Sequence, residues 1–177
     1  MSALPPIARL LPQHGAMVLL EEVVSHDERR IACRASSHRD PANPLVHEGT
    51  LPAWAGIEYA AQAMAAHFCL SADVTGEATI GLLGGLRDVV CGVSRLDDVA
   101  SPLIVEAERL SHDAAGSIYG FRVSAEDDGR ALLHGRATVV QQRTLSPAPP
   151  AALPYQAGEG ESSAVNGLSP RHRENER

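Results

Sequence analysis

The chain has no lysine: all fifteen basic residues among its 177 are arginines. That absence excludes Schiff-base chemistry and the phosphate-binding lysine of a P-loop. Positive charge is scarce altogether. The net charge is -7 and no basic patch relieves it, so nucleic acid is not an expected partner. Cysteine is limited to Cys33, Cys69 and Cys91, an odd number at isolated positions without metal-type pairing. Each sits among apolar or small neighbours, as reduced core cysteines do. Reduced thiols fit a cytoplasmic location. The histidines and carboxylates offer no metal spacing such as HExxH, so no metal is expected. The N-terminus has no long apolar run behind a basic region, so no signal peptide is expected. No stretch approaches the roughly 20 apolar residues that cross a bilayer, so no membrane span is expected either.

What is present divides at Arg143. Residues 144–177 are rich in Pro, Ala, Gly and Ser, lack periodicity and hold few large apolar residues. They read as a disordered tail behind a single domain of residues 1–143. Residues 144–177 carry three arginines and four glutamates, so the domain holds nearly all of the net charge.

Within the domain the most informative segment is AWAGIEYAAQAMAAHFCL, Ala53 to Leu70. It is apolar or small on almost every side, which predicts a buried helix. Trp54, Glu58 and Gln62 recur at i, i+4, i+8 and so share one face. Carboxylates are rarely buried unpaired, so Glu58 marks a candidate site.

Around this helix the sequence predicts strands. Met17 to Ser25 and Arg30 to Ser36 precede it, joined by a turn at His26-Asp27-Glu28. Residues 37 to 52 form a loop, and Ser71 to Glu77, with Gly76, ends the helix. Thr79 to Val93 is a long apolar run in which Gly84-Gly85 predicts a bulge, a bend or a close approach. In Leu103 to Ser111 the apolar residues Ile104, Ala107 and Leu110 do not share one parity, which predicts an irregular step. Ser117 to Ala125 alternates cleanly, Asp127-Asp128-Gly129-Arg130 is a hairpin signal, and Ala131 to Gln141 closes the set. The order is that of an α+β domain with an antiparallel sheet and one central helix. A lone curled sheet leaves an edge exposed, so a dimer is expected, with the helix and one sheet edge near the interface.

Two motifs give this pattern a relative. LPQHGAMVLLEEVV and LPAWAGIEYAAQA resemble the opening segment and the helix of the hot-dog-fold β-hydroxyacyl-ACP dehydratases, with Gln13 and His14 where that family has a His-Arg pair. The second motif, together with GLLGGLRD, is similar to the dehydratase-like proteins of aryl polyene biosynthesis. The resemblance covers residues 10 to 142. It implies a hot-dog fold, one long central helix wrapped by a five- or six-stranded antiparallel sheet. It also implies an acid at Glu58. The family's catalytic histidine lies fourteen residues before that acid, where this chain has Pro44; His47 lies eleven before it. A three-residue deletion in the loop places His47 and Gly49 on the family's His and Gly. Ala53 stands where the family has the glycine before the helix, and its backbone N–H can still serve a ligand. The resemblance further implies a homodimer or heterodimer in which histidine and acid come from different subunits. The substrate would ride on the phosphopantetheine arm of an acyl carrier protein, with no cofactor in the protein. Carrier proteins are commonly acidic, so docking needs a local arginine patch; Arg39, Arg87 and Arg95 are candidates.

Dehydrating a 3-hydroxyacyl thioester takes a base for the α-proton, an acid for the leaving hydroxyl and donors for the enolate-like oxygen. His47, Glu58 and N–H groups at the helix N-terminus suit these roles in turn. Gly49, Ala53, Trp54 and Gln62 are the candidate substrate contacts. Each has a plainer reading. Glu58 could be a structural acid paired with an arginine or held by N–H groups, Gln62 could merely satisfy it, and His47 could be solvated. Trp54 and Tyr59 suit core or dimer packing, Glu21-Glu22 and Asp97-Asp98 suit solvent, and His14 and His67 suit structural or surface places. His26, His38, His112, His134 and His172 have no partner pattern. Three functions therefore stand: a dehydratase, a non-catalytic or half-catalytic hot-dog subunit of a heterodimeric dehydratase, and a hot-dog acyl thioesterase. The tail composition generates one prediction apart from these. It cannot bury enough apolar surface to offset chain entropy, so truncation after Arg143 is expected to leave melting temperature and dimerisation unchanged. A large drop in melting temperature would show that the tail docks on the domain.

Overall fold

The computed structural model describes residues 4–71 and 79–143, so the tail and the turn around Gly76 lie outside the described residues. After Pro52 the chain makes a 3-10 turn, Ala53–Ala55, and continues as helix α1, Gly56–Leu70. Alanine favours helix and costs no side-chain entropy. It also lets the backbone lie close to the sheet. Gly56 takes this furthest, since a Cβ there would fall 2.7 Å from Leu133 Cδ2. The helix ends at Ser71, whose backbone N–H and hydroxyl both donate to the His67 carbonyl at 3.0 and 2.8 Å.

Six strands form one sheet: β1 (Glu22–His26), β2 (Arg30–Ala35), β3 (Thr79–Cys91), β4 (Leu103–Asp113), β5 (Gly116–Ala125) and β6 (Ala131–Arg143). They pair antiparallel throughout in the order β1-β2-β4-β5-β6-β3. Helix α1 packs on β2, β4 and β5. Ile31, Cys33 and Ala35, then Leu103, Val105 and Ala107, then Tyr119, Phe121 and Val123 alternate inward and are buried against it. The register of β4 slips between Arg109 and Ser111, leaving Leu110 exposed on the outside. That is the irregular step its parity demands. The register of β3 slips at Gly84, as the glycine pair predicts, and again between Arg87 and Val90.

Three expectations need correction. The first strand begins at Glu22 rather than Met17. Gly15–Met17 is a 3-10 turn, and the next residues bond to the helix instead of a strand. The Leu19 N–H donates to Gln62 Oε1 at 3.0 Å, and Gln62 Nε2 donates to the Met17 carbonyl at 2.8 Å. A buried side-chain amide has replaced the ladder. Second, the helix is covered on one side only. Tyr59, Ala60, Ala63, Met64, Ala66 and His67 are buried, Ile57, Ala61, Ala65 and Phe68 are half-buried, and Trp54 is 58% exposed. Third, only Cys33 is a core cysteine, with its thiol pushed up to about 12 by burial, while Cys69 and Cys91 are exposed. Cys91 closes β3, an edge strand whose Leu82, Leu83, Leu86, Val89 and Val90 are all exposed. Among the described residues, no helix is long and apolar enough to cross a membrane.

Two histidines carry structure. His67 Nε2 faces the Asp27 carbonyl at 3.0 Å and must donate to it, so Nδ1 accepts from the Tyr119 hydroxyl at 2.9 Å. The two rings meet edge to face, centroids 5.7 Å apart. His38, for which the sequence offered no partner, is fully buried with Nε2 on the Val99 carbonyl at 3.1 Å. Burial is the main cause lowering both pKa values, by penalising the charged imidazolium. The unfolded chain therefore binds protons at a higher pH than the folded one. Their contribution to stability is complete above the unfolded pKa of about 6.5 and declines as pH falls below it. Urea unfolding at pH 7.5 and pH 5 is expected to show that decline, and a His38→Gln, His67→Gln double variant is expected to flatten it. An undiminished slope in the double variant would remove the histidines as its cause.

Candidate active site

Glu58 lies in the first turn of α1 and is half-buried, not fully buried as the helix composition predicts, because the sheet covers the other side of the helix. Its carboxylate is held by two amides. Gln62, one turn along, donates from Nε2 to Glu58 Oε1 at 3.0 Å, and Gln13 donates from Nε2 to the same oxygen at 3.1 Å. Gln62 cannot reverse, since its oxygen already accepts the Leu19 N–H and its nitrogen also serves the Met17 carbonyl. Among the described residues no arginine pairs with Glu58 and no group bonds to its Oε2. With Oε1 occupied by two N–H donors, a proton on this carboxyl belongs on Oε2. The arrangement fixes one carboxyl oxygen and leaves the other open.

The structure brings Gln62 to Glu58 as the i, i+4 spacing predicts. It also brings Gln13, to which sequence reasoning gave no role. The available signal was only that an amide stands in the opening motif where the family has a basic pair.

His47 and Gly49 make no hydrogen bond to this cluster among the described residues. His47 and Thr50 exchange backbone hydrogen bonds at 2.8 and 3.0 Å around a two-residue turn. Both central residues have positive φ, 50° at Glu48 and 73° at Gly49, the left-handed geometry of tight hairpins. Gly49 is there for that geometry, and a Cβ on it would meet nothing within 4 Å. The His47 side chain is 77% exposed, and no hydrogen bond joins it to Glu58.

The loop before this turn is tied to the helix at the residue next to Glu58. Asn43 Nδ2 donates to the Tyr59 hydroxyl at 2.9 Å, Tyr59 donates to Ser37 Oγ at 2.8 Å, and Ser37 donates to the Leu19 carbonyl at 2.7 Å. Tyr59 is thus a core residue with a polar task. On the other side, the Leu51 N–H donates to Asp97 Oδ1 at 2.9 Å, and Asp97 is paired with Arg95. The Arg95 guanidinium holds the Asp97 carboxyl down to about 2. Asp97 is therefore a clamp, not the solvated acid its sequence context suggests.

The helix N-terminus also departs from expectation. The Ala53 N–H donates to the Ser94 carbonyl at 2.9 Å, so it is not the free donor expected of it. The Ala55 N–H donates to Pro52 and the Gly56 N–H to Ala53 and Trp54. The Trp54 N–H has no partner among the described residues. Its indole is exposed beside half-buried Ile57 and Ala61, outside the core. Of the candidate docking arginines, Arg95 is neutralised by Asp97 and Asp98, and Arg39 donates to the Ala100 carbonyl. Arg87 stands opposite Arg136 across the β3-β6 pair.

A model of the ApeP-like family, described as ApeP dehydratase, matches residues 5–148. Among curated proteins no sequence matches significantly. The solved dehydratase heterocomplex ApeI:P from Xenorhabdus doucetiae superposes with a TM-score of 0.68 at 29% identity, covering 80% of this chain and 94% of that one. A thioesterase family protein from Silicibacter pomeroyi gives 0.52 at 18% identity, covering 69% of this chain and 84% of that one. Zebra fish thioesterase superfamily member 2 gives 0.53 at 10% identity, covering 76% and 91%. These two likenesses show the hot-dog fold alone. The family match spans nearly the whole described domain, and the chain belongs to the ApeP-like dehydratase family.

Proposed function

We propose that this chain supplies the acid of a 3-hydroxyacyl-ACP dehydratase built from two hot-dog subunits and working in aryl polyene synthesis. The observation that carries the reading is Glu58, whose Oε1 is fixed by two amide donors while Oε2 is left open. The substrate would be a 3-hydroxyacyl thioester on the phosphopantetheine arm of an acyl carrier protein, with no further cofactor. A base removes the proton α to the thioester carbonyl, and the C–H electrons become the new double bond. The C3–O bond breaks as Glu58 Oε2 delivers its proton, and the hydroxyl leaves as water. One proton enters the base as one leaves Glu58, so the balance closes. His47, exposed on its turn, is available to be that base across a subunit interface, and the Trp54 N–H is a free donor for the thioester oxygen.

A second subunit also answers the exposed edge of the sheet. β3 offers thirteen residues of edge with five exposed large apolar side chains and no lysine or proline to blunt it. Natural edges of that kind are covered. The heterocomplex of the solved relative supports a hot-dog partner, and Pro44 in place of the family's histidine favours a different subunit over a second copy. Replacing Leu82 and Val90 on this edge with aspartate is expected to turn the dimer into monomers in light scattering. A wild-type chain that stays monomeric over a wide concentration range, with candidate hot-dog partners added, would refute the assembly.

The chemistry is tested by two substitutions. Glu58→Gln keeps the volume and removes the titrating proton, so dehydration is expected to fall by at least the roughly 10²-fold typical of losing a general acid. In the heterodimer, His47→Ala separates the roles. Loss of activity makes His47 the base, whereas unchanged activity assigns the base to the partner subunit. Full activity of Glu58→Gln, alone and with a partner, would defeat the site and leave only the fold.

A further inference from the structure

Gln13 does more than hold Glu58. Its Nε2 donates to Glu58 Oε1, while its own Oε1 is buried and has no hydrogen-bond partner among the described residues. Buried polar atoms are satisfied in the great majority of cases, so an orphaned acceptor beside a candidate acid asks for a donor. The contrast with Gln62 is sharp. Both amides grip the same carboxylate oxygen, but the Gln62 oxygen has the Leu19 N–H and the Gln13 oxygen has nothing. While Glu58 is ionised, Gln13 cannot relieve the defect by reversing its amide, because its oxygen would then face the carboxylate oxygen, acceptor against acceptor. In that state the acceptor stays vacant next to Glu58.

We propose that Gln13 Oε1 accepts the hydroxyl hydrogen of the 3-hydroxyacyl substrate. This rests on the dehydratase reading above and adds to it a residue that recognises the leaving group. A hydroxyl that donates to Gln13 turns a lone pair of its oxygen toward Glu58 Oε2, the oxygen that carries the proton. When the Oε2–H bond breaks and the C3–O bond opens, the departing oxygen holds both hydrogens as water, one of them still donated to Gln13. Gln13 itself gains and loses no proton. A thioester without the 3-hydroxyl leaves the buried acceptor unpaired and is disfavoured for that reason.

The test is binding to the full-length chain in its dimeric form, carrying Glu58→Gln to stop turnover. The two probes are 3-hydroxybutanoyl-pantetheine and butanoyl-pantetheine. The Glu58→Gln protein is expected to prefer the hydroxy thioester by about tenfold, the order of one neutral hydrogen bond. Adding Gln13→Met, unbranched and of similar length, is expected to erase that preference and leave butanoyl-pantetheine affinity within about twofold. The unchanged affinity also shows that the pocket remains folded. Gln13→Asn, which draws the amide back by one methylene, serves if the methionine variant does not fold, with the same loss expected. A preference that survives both substitutions overturns the assignment and leaves Gln13 a positioning residue whose oxygen is satisfied by bound water. If the Glu58→Gln protein does not distinguish the two thioesters at all, the Gln13 assignment is overturned as well, and dehydration of the hydroxy thioester by the wild-type assembly then shows whether the dehydratase reading stands without it.

Discussion

The site depends on the buried amide of Gln62. Three partners meet on it: the Leu19 N–H, the Met17 carbonyl and the Glu58 carboxylate. Removing such a group strands several polar atoms at once, which costs more than any single bond returns. It explains why the chain before β1 leaves the sheet and lies along the helix. That path in turn carries Gln13 to Glu58. The N-terminal segment is therefore part of the candidate site, although Glu58 itself belongs to the helix.

Around this centre the protein is built asymmetrically. One face of α1 is sealed by β2, β4 and β5, and the opposite side carries exposed Trp54 with half-buried Ile57, Ala61 and Ala65. At the same time β3 is an apolar edge exposed from Gly81 to Cys91. Both open regions are finished surfaces only if another body covers them. The half-burial of Glu58 belongs to the same pattern, since the covering subunit would complete the exclusion of water that the chain alone achieves on one side.

How much of this was legible in the sequence follows from the range of the interactions. Local signals were readable: the alanine-rich helix, the strand alternation of Tyr119, Phe121 and Val123, the slip at Leu110, the bulge at Gly84 and the pairing of Glu58 with Gln62 one helical turn away. What could not be read needed the chain to close on itself. Gln13 meets Glu58 across 45 residues, Leu51 meets Asp97 across 46, and His38 meets Val99 across 61. Nothing in the local pattern of any of these residues announces its partner. The degree of burial was misjudged for a related reason. A helix apolar on every side looks the same in sequence whether its own sheet covers it or another subunit does.

The two ends of α1 are anchored by groups that respond differently to acid. Near Glu58 the chain leading into the helix is clamped by Asp97, whose carboxyl titrates at about 2 and stays ionised through the whole mildly acidic range. At the far end the helix is moored by His67, which must remain neutral to accept the Tyr119 hydroxyl. Acidification therefore weakens the C-terminal mooring of α1 before it reaches the clamp on the chain that leads into the helix.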